Sequence, residues 1–199
     1  MDVVFYADDR HEYLSLLSQS AAKHALDFLA WCLMSNRAHF VVVPRQRKSL
    51  SATFGEAHRR YTRWVHFREG WRGHLWQERF HSYPMDERHL LAAVRYVEMN
   101  PVHAGWVERA EDWGWSSARY HLGLSTADRL VRERSLLGWV NDWREYLTEA
   151  DGHDNTNYEL HWRTGRPLGT TDFLDQIEQL IGTSLRRKKG GWQKGKKRK

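Results

Sequence analysis

The chain has 199 residues, of which 41% are hydrophobic and 28% charged, and a formal net charge of +6. No apolar run approaches the roughly 18 residues that a membrane-spanning helix requires, which excludes a transmembrane protein. The single cysteine, Cys32, excludes a disulfide framework, and the acidic N-terminus lacks the basic and apolar parts of a secretory signal, so we expect a cytoplasmic protein.

The first 70 residues predict two helices on either side of a hairpin. An acid-rich first turn followed by apolar residues at helical spacing predicts a helix that begins near Asp9. Two apolar runs within residues 26–44, separated by the turn-forming Ser35 and Asn36, predict two antiparallel strands. Apolar residues at intervals of three and four within 50–65 predict an amphipathic helix that ends at Gly70.

The middle of the chain predicts a third strand and a third long helix. Residues 73–80 alternate imperfectly between polar and apolar, which favours a strand. Asp86 is a typical N-cap, and the helix after it is expected to stop near Asn100, because Pro101 disfavours helical geometry in the residue before it.

The last third of the chain predicts a loop, two further helices and a basic tail. We expect a compact loop over 102–125 with a short element at 115–117, then helices over 130–146 and 171–181. An acidic, loop-like stretch over 142–159 precedes the last helix. Helices and strands interleave without regular alternation, which favours an α+β fold with an antiparallel sheet.

Two side chains on the third helix have the spacing of a reactive site. Tyr96 and Asn100 lie one turn apart on one face, offset from the apolar stripe. A tyrosine so placed can attack phosphorus if a cation or base offsets its ordinary pKa of about 10. The alternative is a half-buried core tyrosine with a helix-terminal asparagine. On the second hairpin strand, Arg37 and His39 are two residues apart and therefore project from one face of the sheet.

Five ordered segments together resemble the REP-associated tyrosine transposases, which belong to the single-strand transposases with a strand of the form Asn-His-hydrophobic-His. These segments are residues 34–44, 59–61, 71–80, 95–105 and 112–119. The resemblance implies a ferredoxin-like α+β domain in which two strand histidines and a polar residue one turn after the tyrosine bind Mg²⁺ or Mn²⁺. His39 matches the second histidine, Asn100 the third ligand and Tyr96 the nucleophile, which leaves a 5′-phosphotyrosyl strand and a free 3′-hydroxyl.

Arg37 departs from this pattern at the position of the first histidine. A guanidinium has no lone pair for a metal and stays protonated. Two unit charges 4 Å apart repel by about 4 kcal/mol at an effective dielectric of 20, so we expect weak or absent metal binding and an impaired centre. Arginine is a good bidentate phosphate ligand, so the cleft can still hold DNA, and slow metal-free cleavage stays open. Proteins of this family begin with a strand and a glycine-containing turn before the segment that residues 3–9 match. The resemblance therefore predicts a transposase-like domain over 1–122 that lacks its first strand.

A basic island and the tail predict contacts with single-stranded or hairpin DNA. Residues 45–79 hold nine Lys or Arg and three acids, and residues 186–199 hold nine Lys or Arg and no acid, whereas residues 1–185 carry 22 basic and 25 acidic residues. We expect a helical region over 123–185 and a disordered tail that acts as an auxiliary DNA clamp, with a solubility role as the alternative. The predicted DNA ligands are Arg37, Arg59, Arg60, Arg63, Arg68, Arg72, His74, Trp76, Arg79, Arg186, Arg187, Lys188 and Lys189.

Two functions follow from the sequence. One is a tyrosine transposase that nicks and rejoins DNA beside a palindromic hairpin, and the other is a module or repressor of the same fold that holds such hairpins without cutting them. An unrelated metal hydrolase is disfavoured, because the remaining histidines form no recognised ligand spacing. We expect association with the nucleoid, and the sequence leaves a homodimer open.

Overall fold

The computed structural model describes residues 7–76, 79–132, 136–149, 158, 161 and 164–185. The predicted absence of a first strand and the predicted basic tail fall on residues 1–6 and 186–199, outside the described residues. The elements in chain order are α1 (Ala7–His24), β1 (Leu26–Leu33), β2 (Ala38–Pro44), α2 (Ser49–Glu69), α3 (Glu87–His103), a 3₁₀ turn (Ala110–Asp112), α4 (Ala118–His121), α5 (Trp143–Thr148) and α6 (Thr171–Ile181).

The predicted hairpin is confirmed and separates two apolar layers. β1 pairs antiparallel with β2, with Cys32 opposite His39, and a bulge lies between Phe28 and Ala30. Phe28 and other residues of one sheet face pack against α1 and α2, whereas Ala30 and Cys32 of the other face pack against α3. Helices thus cover both faces of the hairpin, and the predicted α+β class is confirmed.

The free edge of β1 is paired by two segments from later in the chain. Leu33 donates its backbone N–H to the Trp115 carbonyl at 2.8 Å, and Ser117 donates to the Trp31 carbonyl at 3.0 Å. Val131 forms a parallel bridge with Phe28 further along the same edge. Pairing removes the unsatisfied backbone groups that an exposed strand edge would present. The predicted short element at 115–117 is therefore confirmed as an added strand-like segment.

The predicted strand over 73–80 is wrong for the described residues 73–76 and 79–80, which form no strand. Leu75 is buried, and its neighbour Trp76 packs against the same apolar cluster between α1 and α2. A strand would send consecutive side chains to opposite faces, so burying both residues in one cluster requires an irregular backbone.

The predicted helix over 130–146 is wrong for the described residues 130–132 and 136–142, which form no helix, whereas residues 143–146 are helical. Asp128 accepts hydrogen bonds from the backbone N–H groups of Leu130 and Val131 at 2.8 and 2.7 Å, and Val131 forms a bridge with Phe28 of β1. A separate helix, α5, starts later, because the Asp142 carboxylate accepts from the N–H groups of its first turn. The apolar spacing across 130–146 therefore spans two segments, the bridge residue Val131 beside β1 and the start of α5. α5 also lies where the acidic loop over 142–159 was expected to begin.

α3 begins at the predicted Asp86 cap but continues past the predicted end at Asn100 to His103. Pro101 is buried inside the last turn, and its carbonyl accepts from the Trp106 N–H at 2.9 Å. The preference of the residue before proline for extended geometry is a bias that burial can override. Asn100 is therefore a helical residue whose position relative to Tyr96 is fixed.

The predicted helix over 171–181 is confirmed as α6, and the segment before it docks on the start of α3. Thr170 donates its N–H to the Asp86 carboxylate at 2.8 Å, and Leu168 accepts from the Asp86 N–H at 3.0 Å. A Cβ at Gly169 would clash with the Phe173 ring and lie 2.9 Å from the Asp86 carboxylate, so this close approach favours glycine. Within the described part of the chain, no helix is both long and apolar enough to cross a membrane.

The packing of α1 on α2 predicts a dependence of stability on pH. His58 Nε2 lies 2.9 Å from the Tyr13 hydroxyl, its ring stacks on Trp76 with centroids 4.1 Å apart, and burial lowers the pKa of His58 to about 4. Because an unfolded histidine has a pKa of about 6.5, the unfolded chain binds more protons between these values. The histidine's contribution to stability is therefore lost as the pH falls through this window.

We expect His58→Gln to reduce the acid sensitivity of the free energy of unfolding. Between pH 7 and about pH 4.5 the wild type should lose about 2 kcal/mol more than the variant, after allowance for partial exposure of the ring. Urea unfolding at the two pH values measures both losses. Equal losses in the two proteins would show that His58 does not titrate differently in the folded and unfolded chains.

Candidate functional site

The centre of the candidate site is formed by His39 on β2 and Tyr96 on α3. The two rings meet edge to face, with centroids 6.1 Å apart and an interplanar angle of 87°. Phe40 projects from the opposite face, where its ring lies 5.3 Å from that of Phe54 on α2. The alternation of side chains along β2 thus brings His39, and not Phe40, to the predicted tyrosine.

His39 is held neutral with one ring nitrogen unused. Burial, and secondarily the positive charge of Arg37, lower the pKa of His39 to about 4. Its Nε2 atom is buried and has no hydrogen-bond partner among the described residues. An orphaned buried nitrogen is costly, and its presence beside Tyr96 is typical of a site built to contact something else.

Arg37 and Asn100 flank this pair. Arg37 is exposed and directly precedes β2, and its carbonyl accepts from the Met34 N–H at 2.7 Å in the turn of the hairpin. Asn100 is half-buried and lies one turn after Tyr96 within the continuous helix α3. The structure therefore brings Tyr96 to His39, whereas Asn100 and Arg37 are placed only by their positions, one turn after Tyr96 on α3 and two residues before His39.

Tyr158, which sequence reasoning missed, covers the candidate nucleophile from the C-terminal region. Its buried side chain stacks on Tyr96 with ring centroids 5.1 Å apart and an interplanar angle of 24°. Tyr83 lies near both of these tyrosines. Burial, and secondarily Tyr158 and Tyr96, raise the pKa of Tyr83. Tyr158 lies in a polar, acidic stretch with no periodic pattern, so the sequence carries no signal that could have placed it here.

A buried polar network fixes the rotation of α3 about its axis. Glu98 is fully buried and accepts hydrogen bonds at one oxygen from the Ser117 hydroxyl at 2.6 Å and from His121 Nδ1 at 2.5 Å. Ser117 in turn accepts from the Trp31 N–H of β1 at 3.0 Å. Because Glu98 is tied to the far side of the helix, Tyr96 and Asn100 are held toward β2.

The basic island divides into exposed cations and cations with structural partners. Arg60 donates to Gln19 of α1 at 3.0 Å, and Arg68 pairs with buried Asp9 and with Glu69. The other predicted ligands of this island are exposed and have no ion-pair partner among the described residues, namely Arg59, Arg63, Arg72, His74 and Arg79. The structure thus keeps five of these side chains available to solvent.

Trp76 is a packing residue in this structure. Its indole N–H donates to the Thr62 hydroxyl at 3.1 Å, its ring stacks on His58, and it contacts the main apolar cluster. Trp64 is similarly engaged, with its ring stacked on Tyr61 and the Arg68 guanidinium 4.5 Å from its centroid. These contacts favour the core role over the predicted role of Trp76 in DNA stacking.

Comparison with known proteins identifies the family. The family described as "Transposase IS200 like" matches residues 2–100, which include β2, the basic helix α2 and α3 up to Asn100. The chain belongs to this family. A solved structure of a REP-associated tyrosine transposase bound to a REP hairpin is similar, with a TM-score of 0.51 and 17% sequence identity over 75% of this chain and 81% of that one. This likeness shows the fold. The search of curated proteins finds no match.

Within the IS200-like family the resemblance implies a divalent metal at this site, and the residues present fit it poorly. His39 offers one free nitrogen and Asn100 one amide oxygen, whereas Arg37 offers a positive charge and no lone pair. Among the described residues no three His, Cys, Asp or Glu side chains cluster so as to hold an ion. The donor set therefore does not match a tightly held Mg²⁺ or Mn²⁺, which prefer several oxygen or nitrogen ligands.

Proposed function

We propose that this IS200-like transposase binds single-stranded or hairpin DNA and that its tyrosine chemistry is strongly impaired. The observation that carries this proposal is Arg37 beside His39, because a guanidinium occupies the place where the resemblance calls for a metal ligand. Its charge already contributes to the lowered pKa of His39. A guanidinium binds phosphate through two parallel hydrogen bonds, so Arg37 suits a DNA phosphate better than a metal ion.

The arrangement supports a phosphate held between Arg37 and Tyr96. Attack of the Tyr96 oxygen on phosphorus would form a phosphotyrosyl bond and break the bond to the 3′-oxygen, which leaves as a hydroxyl. The guanidinium stabilises negative charge on the phosphate, but His39 and Asn100 offer too few ligands for the metal cation that such a displacement usually employs. A fully active transposase is the second candidate, and the contact between His39 and Tyr96 favours it.

Hairpin DNA is the proposed ligand on two grounds. The similar solved transposase is bound to a REP hairpin, and five exposed basic side chains of the island lie outside internal ion pairs in the described chain. Fluorescence anisotropy with labelled DNA hairpins and with linear duplexes tests the proposal. We expect tighter binding to hairpins than to linear duplexes of the same composition, and equal weak binding to both would contradict a hairpin ligand.

The exposed arginines of α2 predict a salt-dependent contribution to DNA binding. We expect Arg59→Ala combined with Arg63→Ala to weaken hairpin binding about tenfold and to lower the slope of log affinity against log salt by about 1 to 2. Helix content should stay constant, since neither side chain has an ion-pair partner among the described residues. Anisotropy titrations at several salt concentrations, with circular dichroism, measure both effects.

The matched control removes two other exposed arginines, Arg88 on α3 and Arg129 before Val131. This pair carries the same charge but lies outside the basic island. If the control variant loses as much affinity and slope as the α2 variant, net charge and not a defined surface governs binding.

A further inference from the structure

Phe67 is the most exposed large apolar side chain of the described chain, and it lies on the basic helix α2. Its side chain is 94% exposed, whereas Trp64 and Trp76 nearby are engaged in packing. It has no ring contact with any described residue. A phenyl ring exposed to solvent does not contribute the free energy of folding that it would contribute if it were buried.

The cations around Phe67 set the chemistry of the surface. Arg63 and Arg59 precede Phe67 by one and two helical turns, so the three side chains share one side of α2. Arg72 is exposed and lies two residues after Gly70, the left-handed C-cap of α2. The surface thus presents an aromatic ring at the end of a row of guanidinium groups.

The acids of this part of the chain are neutralised from within the protein. Glu56 pairs with Lys23 and His24 of α1, and hydrogen bonds from these two residues lower the pKa of Glu56 to about 2. Glu69 pairs with Arg68 at 2.6 Å. The row formed by Arg59 and Arg63 is therefore left with uncompensated positive charge, which complements a polyanion and repels a basic partner.

We propose that Phe67 is a base-stacking residue, which binds an unpaired nucleobase next to the hairpin while Arg59 and Arg63 hold the adjoining phosphates. This inference rests on the proposed DNA-binding function. It identifies the part of the DNA-binding surface that contacts unpaired nucleotides. Single-stranded nucleic acid is bound in this way by aromatic rings that stack on bases inside a positively charged track. A paired base offers no free face, so Phe67 contributes only where the strand leaves the stem.

The test compares a hairpin that carries a single-stranded extension with the same hairpin made blunt. We expect Phe67→Ala and Phe67→Leu to weaken binding to the extended hairpin about tenfold, and Phe67→Trp to retain it. Binding to the blunt hairpin should be unchanged in all three. A 2-aminopurine in the extension should be quenched by the wild type and not by Phe67→Ala. Thermal stability should be unchanged, because Phe67 is 94% exposed and belongs to no apolar cluster of the described residues.

Leu124→Ala, which removes another exposed apolar side chain outside α2, is the matched control and should not affect either hairpin. Equal affinity of Phe67→Ala and the wild type for the extended hairpin would overturn the inference while leaving the proposed function intact. Equal weakening on both hairpins would also overturn it, since stacking on unpaired bases would not be the cause. Loss of self-association with unchanged DNA affinity would assign the ring to a second copy of the chain. A wild type that binds no DNA would overturn the proposed function itself.

Discussion

Replacing Arg37 by histidine is expected to raise the affinity for Mn²⁺ at least tenfold, as measured by calorimetric titration. The change supplies a second imidazole two residues before His39, whose Nε2 has no partner among the described residues and whose ring contacts Tyr96. It also removes the Arg37 guanidinium, whose charge would repel a divalent ion about 4 Å away by several kcal/mol. A tenfold gain is about 1.4 kcal/mol, which is modest beside that repulsion and the added ligand.

Arg37→Gln separates the two causes, because it removes the charge without supplying an imidazole. We expect an intermediate gain for this variant if both repulsion and the missing ligand weaken metal binding. Tight Mn²⁺ binding by the wild type, unchanged by either substitution, would show that other groups hold the ion and that Arg37 does not degrade the site.

Glu98→Ala is expected to lower the free energy of unfolding by about 3 to 5 kcal/mol at pH 7, as measured by urea unfolding. The substitution leaves the Ser117 hydroxyl and the His121 ring without their shared acceptor in a fully buried place, and it opens a cavity. The His121 ring also stacks on Trp143 with centroids 4.6 Å apart, so the loss extends to the start of α5.

Glu87→Ala on the exposed first turn of the same helix is the control, and it should cost only a few tenths of a kcal/mol. A loss below about 1 kcal/mol for Glu98→Ala would mean that the network adds little to stability. In that case the rotation of α3, and with it the direction of Tyr96, would have to be set by apolar packing alone.

Local pattern was sufficient for the parts of the fold that carry the site. The acid-rich start of α1, the two apolar runs of the hairpin and the Asp86 cap each depend on neighbouring residues only, and each prediction is confirmed. Two-residue alternation also placed His39 and Phe40 on opposite faces of β2. The spacing of Tyr96 and Asn100 followed from helical geometry.

Tertiary packing decided the parts that local pattern could not. Leu75 and Trp76 enter one cluster together, which no alternating strand allows. Asp128 accepts from the N–H groups of Leu130 and Val131, where spacing favoured a helix. Tyr158 reaches Tyr96 across some sixty residues of sequence, a contact that only the folded chain reveals. Phe67 lies outside the apolar spacing within 50–65, and the folded chain shows that it is 94% exposed.

The most direct test of the central claim is a cleavage assay with the full chain, a labelled hairpin and Mn²⁺, resolved on native and denaturing gels, with Tyr96→Phe as the control. We predict a retarded complex on the native gel for both proteins and, on the denaturing gel, no covalent adduct above the level of Tyr96→Phe. A covalent protein–DNA adduct that forms with the wild type and is lost in Tyr96→Phe would contradict the impaired centre and establish an active transposase.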